Sequence, residues 1–381
     1  MKRVLTALLV FALLLSGRAY AVESVEADAI ELNAPCALLM EKVTGEILYE
    51  KNAHERVFPA SVTKIMTLLL IIEDLEAGKF ALTDTVTASA RAASFGGSCV
   101  FLEEGEQMSV DEMLKCIAIV SANDCAVAMA EFVSGSEELF VRRMNERAAE
   151  LGMEETRFST CTGLYDDAER HYTTAYDVAL MSRALISHDM VKNYTTVWMD
   201  SIRNGEFGLS NTNKLVYWYP DCTGLKTGYT SGALYCLSAT AEREGTEYIA
   251  VVMHCDSSDS RNNDAKKLLN YGFATYRLER MYPEYAPGNV AVTYGRADTV
   301  ALEYGGEEYA LLEKNTEPLS YELTKEESVT APVEAGQRLG TLTVRRGEQT
   351  VAELPVLAAE SVECMGYFGF VKLLLLSLIC G

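Results

Sequence analysis

Phe58-Pro-Ala-Ser-Val-Thr-Lys-Ile-Met-Thr67 leads into a stretch, residues 65–75, that is apolar almost all round. A segment hydrophobic on every face reads as a buried helix, and Pro59 and Ala60 stand where such a helix starts. Residues three apart share a helix face, so the amine of Lys64 is placed beside the hydroxyl of Ser61. The helix N-terminus brings backbone N–H groups and the positive end of its dipole to the same point. A nucleophile, a base and an electrophilic pole then coincide. By itself a Ser-x-x-Lys is expected about once in a chain of this length, and the same residues would also make an ordinary helix start with a solvated lysine.

Two more short motifs follow in order, Ser121-Ala-Asn123 and Lys226-Thr227-Gly228. The three together form the set shared by penicillin-binding proteins and class A β-lactamases, acyl-transferring serine enzymes. Longer blocks surround them: Gly105-Glu-Gln-Met-Ser-Val110 before Ser121-Ala-Asn-Asp124, and Asn211-Thr-Asn213 before Gly224-Leu-Lys-Thr-Gly-Tyr-Thr230. On these blocks the chain resembles the D-alanyl-D-alanine carboxypeptidases, the low-molecular-mass penicillin-binding proteins, from about residue 34 to 273.

The resemblance implies a chemistry. Ser61 attacks the carbonyl between the two terminal D-alanines of a peptidoglycan stem peptide, releases D-alanine and leaves an acyl-enzyme that water hydrolyses; penicillins acylate the same serine. Which residue takes the proton is disputed across these enzymes; for Lys64 to be the base, its amine, ordinarily near 10.4, has to be lowered by burial and by the second cation Lys226. Ser121 would relay a proton to the leaving amine, and Asn123 would orient Lys64 and the substrate amide. Lys226 and Thr227 would hold the terminal carboxylate, with Arg261 assisting. That arginine reads equally as a surface residue of the polar loop 257–263. Gly228 would leave an edge strand clear for the substrate backbone to pair with, and the backbone N–H groups of Ser61 and Tyr229 would form the oxyanion hole.

Composition fits a folded, exported protein. At 381 residues with 49 % hydrophobic and 23 % charged residues, the chain is globular and longer than one ordinary domain. Residues 1–21 carry Lys2 and Arg3, an apolar run from 4 to 15, and Ala19-Tyr20-Ala21, the layout of a cleavable signal. A formal net charge of -22 argues against nucleic acid as a partner, because counterion release needs a basic surface. The ten cysteines follow neither a small-scaffold nor a zinc spacing, and Cys116, Cys125, Cys236 and Cys255 lie in apolar runs, so buried free thiols are expected. His54, His171, His188 and His254 lack metal-ligand spacing, and neither metal nor cofactor is expected.

The periodicity predicts an α/β (α+β) chain, and the resemblance implies the penicillin-binding-protein/β-lactamase-like transpeptidase fold. Two strands fall around Thr44-Gly45, and helices are expected at 61–75, 111–120, 122–133, 136–151 and 174–187. From Leu225 the pattern turns to strands, with 233–241 and 247–254 alternating or apolar, and a closing helix is expected at 264–278. The catalytic domain is bounded at 22–282. Short strands at 289–294, 299–304, 340–345 and 350–356 suggest a small β-sandwich over 283–360. The tail, 361–381, holds an apolar run at 365–380. As a helix that run spans about 24 Å, less than the roughly 30 Å of a hydrocarbon core, so it would lie on a membrane surface rather than cross it.

Two features depart from the family pattern: Thr160-Cys-Thr-Gly-Leu164 stands where relatives often read Asn-Pro-His-Gly-Leu, and Leu234 replaces a common glycine. The first is expected near the cleft rim, the second on the strand behind it. A class A β-lactamase and a non-catalytic wall-binding scaffold remain as alternatives. The lactamase would need a Glu-x-x-Leu-Asn block between the second and third motifs, and none occurs; the scaffold would have little use for an intact set of motif residues.

Overall fold

The structure, a computed structural model, describes residues 30–167, 169–314 and 317–371. The signal-like segment and residues 372–381 of the tail lie outside the described residues. The N-terminal domain is built on a five-stranded antiparallel sheet of β1 (Cys36–Glu41), β2 (Ile47–Lys51), β3 (Cys222–Thr230), β4 (Leu234–Arg243) and β5 (Thr246–Cys255), in the order β2-β1-β5-β4-β3. The first two strands therefore pair with three that come some 170 residues later, as the register Cys36↔Met253 to Glu41↔Tyr248 shows. Every residue of β1 is buried, and so is all of β5 but His254. Such continuous burial is what unbroken apolar runs produce when helices cover the sheet. The strand β3 that carries Lys226-Thr227-Gly228 is an edge.

The helices between β2 and β3 form one lobe. A 3-10 turn, Ala60–Thr63, feeds α1 (Lys64–Glu76), which is buried along nearly its whole length. Ser109 and Glu112 close a capping box on α2 (Val110–Lys115). The chain then widens into a π turn at Cys116–Val120, passes through Ser121 and enters α3 (Asn123–Ser134). Two further helices, α4 (Glu137–Glu150) and α5 (Ala175–Ile186), start on Ser136 and Thr174, whose side chains accept from Leu139 N–H and Asp177 N–H.

The closing helix differs from expectation. It is α6 (Ser258–Thr275), beginning on Ser257, whose hydroxyl accepts from Ser260 N–H. Arg261 is thus in a helix, not a loop. The chain leaves α6 directly into strand β6 (Tyr276–Arg280).

Beyond it lie β7 (Asn289–Thr293), β8 (Thr299–Tyr304), β9 (Tyr309–Glu313), β10 (Leu319–Lys325), β11 (Ser328–Thr330), β12 (Arg338–Arg346) and β13 (Gln349–Ala358). Six of these make a sheet in the order β10-β12-β13-β8-β7-β11, while β6 and β9 pair with each other. Val300, Leu342, Val344, Val356 and Ala358 fill this domain's own core. Of the tail, residues 367–371 are helical, and no helix among the described residues is long and apolar enough to cross a membrane.

Candidate active site

The 3-10 turn, the Ser121 loop and strand β3 converge on one point. Lys64 is the first residue of α1 and wholly buried; its Nζ donates to Ser61 Oγ at 3.0 Å, Asn123 Oδ1 at 2.6 Å and the Thr162 carbonyl at 3.0 Å. Three acceptors fix the amine in direction as well as place. Burial lowers its pKa from 10.5 to about 7. Cys161 and Cys99 would oppose this only as thiolates, and burial holds Cys161 protonated, which leaves the Asp124 carboxylate as the opposing charge.

Asn123 is itself clamped, its Nδ2 donating to the Gly96 carbonyl at 2.8 Å, so the amide oxygen must face Lys64. The neighbouring Asp124 accepts from Val100 N–H, Leu102 N–H and Cys125 N–H, tying the loop 96–102 to α3. Ser121 adopts a left-handed backbone, φ 65°, and its buried hydroxyl has no hydrogen-bond partner among the described residues. A buried hydroxyl left unpaired is costly.

Lys226 is also buried, with Nζ donating to the Thr227 carbonyl at 3.0 Å, and Thr227 Oγ1 donates to Thr212 Oγ1 at 2.8 Å. Burial holds the Lys226 amine well below its ordinary range, and the charges of Lys64 and Arg261 push it further down. Gly228 has a reason the sequence did not supply. A Cβ there would stand 2.9 Å from the Pro59 carbonyl oxygen and 3.1 Å from Val62 N, so the missing side chain lets β3 lie against the nucleophile turn. Tyr229 follows with its ring half exposed at the sheet edge.

Arg261 is buried. Its Nε donates to Asn262 Oδ1 and its Nη2 to Ser258 Oγ, each at 3.2 Å, and the guanidinium lies 5.9 Å from the Tyr235 ring centroid. No hydrogen bond among the described residues joins it to Lys226 or Thr227. The segment 160–164, expected at the rim, is in the site itself: Thr162 supplies a carbonyl to Lys64, and a Cβ on Gly163 would stand 1.9 Å from the Ala60 oxygen. Leu234 opens β4 at φ 52°, a left-handed position that explains the family's glycine. Thr162 and Gly163 carry no motif signal in the sequence, because their roles depend on a backbone carbonyl and a close approach.

The D-alanyl-D-alanine carboxypeptidase family matches residues 21–257, and the C-terminal domain of penicillin-binding protein 5 matches residues 279–364. The chain belongs to the D-alanyl-D-alanine carboxypeptidase family. It is an enzyme of the penicillin-binding class, and the alternative readings fall away. This carboxypeptidase is 41 % identical to DacF of Bacillus subtilis, covering 98 % of this chain and 97 % of that one. With DacC of Escherichia coli it shares 35 % identity, over 94 % and 91 %. Among solved structures, penicillin binding protein 5 from Haemophilus influenzae superposes with a TM-score of 0.75 at 27 % identity, covering 88 % of this chain and 98 % of that one. The nine described cysteines of the carboxypeptidase are free thiols, seven of them buried.

Proposed function

We propose that the carboxypeptidase acts through an acyl-enzyme on Ser61, with Lys64 as the base. The observation that carries this reading is the buried Lys64 amine, 3.0 Å from Ser61 Oγ, whose pKa of about 7 leaves a large neutral fraction at physiological pH. The neutral amine takes the hydroxyl proton as Oγ attacks the penultimate D-alanine carbonyl. The backbone N–H groups of Ser61 and Tyr229 receive the oxyanion, Ser121 passes a proton to the leaving D-alanine, and water then releases the shortened stem peptide. The substrate carboxylate pairs with Lys226, Thr227 and Arg261. Its charge favours protonated Lys226, and a second cation beside Lys64 favours the neutral amine there. Binding thus promotes the basic form of Lys64.

The signal-like segment and the family's substrate support a mature enzyme that works outside the cytoplasmic membrane, and the apolar run at 365–380 supports residues 361–381 as its attachment to the membrane surface. The test is intact-mass spectrometry of the mature protein with benzylpenicillin, then incubation with a peptide ending in Lys-D-Ala-D-Ala. A persistent adduct on Ser61 and release of one D-alanine are expected, and Ser61→Ala should form no adduct while remaining folded. Rapid penicillin hydrolysis with an untouched peptide would overturn the reading.

A further inference from the structure

His171 belongs to neither the motifs nor the chemistry so far described, yet it is 1 % exposed and hydrogen-bonded at both ring nitrogens. The Ser159 backbone N–H can only donate, and it lies 3.0 Å from His171 Nδ1, so that nitrogen carries no proton. Nε2 therefore bears the hydrogen and donates to Thr63 Oγ1 at 2.9 Å. Protonating the ring would set two donors against each other at Ser159. Burial also disfavours the imidazolium, with Asp166 and Asp167 only partly offsetting it, and the ring stays neutral down to a pH of about 4.

The two partners of His171 sit on two separate pieces of the site. Thr63 is the last residue of the turn that presents Ser61, and Ser159 starts the loop whose Thr162 carbonyl receives Lys64. Gly163 of the same loop lies against Ala60, a contact so close that a methyl group would not fit. We propose that His171 is a positioning residue for acylation: its neutral ring pins the nucleophile turn to the 159–163 loop, and so holds Ser61 Oγ and Lys64 Nζ in register. It touches no substrate. This inference rests on Ser61 and Lys64 acting as described above.

The experiment compares Thr63→Val, His171→Asn and His171→Gln with the parent. Valine keeps the volume of threonine and removes the acceptor. Asparagine can accept from Ser159 N–H at the Nδ1 position but cannot reach Thr63. Glutamine can donate to Thr63 from the Nε2 position. For each variant the first-order acylation constant and the prior dissociation constant for benzylpenicillin are separated by stopped flow, and thermal midpoints are recorded. Misplacement by a fraction of an ångström should slow acylation about tenfold in Thr63→Val and His171→Asn. The dissociation constant should stay within about twofold, and His171→Gln should restore most of the lost rate. Acylation at the parental rate in Thr63→Val, whatever its midpoint, would overturn the proposal, as would a loss confined to the dissociation constant. If the parent itself gains no mass at Ser61, the underlying reading fails, which is a distinct result.

Discussion

A lysine amine moved out of water loses hydration that its neutral form does not need, which is why burial takes Lys64 from 10.5 to about 7. Between those two pH values the unfolded chain holds a proton that the folded chain has released. Stability contributed by this residue therefore rises with pH across that window, and below about 7 the cost of burying the ammonium is present in full. Relative to the parent, Lys64→Met should gain on the order of a few kcal/mol as pH falls from 10.5 to 7. Urea unfolding at several pH values measures this, and a stability difference independent of pH would contradict it. The same ionisation should appear in catalysis, with the parent's acylation rate rising through a pH near 7 and levelling above it. Gly228 offers a steric counterpart. An added methyl in Gly228→Ala meets Pro59 O and Val62 N, both backbone, so strand or turn must shift. A cost of about 1–3 kcal/mol in stability and a fall of about 100-fold in acylation are expected, read from thermal unfolding and stopped-flow acylation of one preparation.

Elements were legible where an apolar period met a cap. Ser136 and Thr174 cap helices within a residue of the expected bounds, and α1 is as buried as its composition implied. The start of α6 was missed because residues 258–263, Ser-Asp-Ser-Arg-Asn-Asn, have no apolar member to mark a face, although Arg261 and Asn262 are buried there. Strands β10 and β11 were missed for other reasons: both lie at sheet edges with no fully buried residue, so Leu319–Lys325 gives only a weak signal although Leu319, Tyr321 and Leu323 alternate with polar residues, and Ser328–Thr330 is three residues long. In the site, Ser61, Lys64, Ser121, Asn123 and Lys226 were legible as motif residues. Thr162 and His171 act through contacts that join distant parts of the chain. The same holds for Asp124, which follows the second motif in sequence but acts on the 96–102 loop. Asp124→Ala leaves Val100 N–H and Leu102 N–H without their acceptor inside a closed structure, and a loss of about 2–4 kcal/mol is expected. Urea denaturation checks it; a loss under about 0.5 kcal/mol, the size of an ordinary surface change, would mean those amides find water.

Across the whole molecule, the two domains are joined by more than a linker. Strand β6 follows α6 without a break and pairs along its full length with β9, from Tyr276↔Glu313 to Arg280↔Tyr309, and Lys314 N–H donates to the Thr275 carbonyl. Arg346 of β12 reaches into this joint, pairing with Glu279 and donating to the Glu313 carbonyl, while its Nε is buried without a partner. Both members of the pair are 11 % exposed, so the carboxylate compensates a guanidinium that water barely reaches. Removing one partner of such a pair strands the other charge, which costs about 3 kcal/mol or more. Glu279→Ala should therefore lower the unfolding temperature of the C-terminal β domain and separate it from that of the N-terminal domain in a calorimetric scan. Ser61 and Lys64 lie in another core, so acylation by benzylpenicillin at 25 °C should stay within about twofold of the parent. A single transition at the parental temperature would show that strand pairing alone holds the joint. A parental scan with slowed acylation would show that the β domain reaches the site by a route other than Glu279 and Arg346.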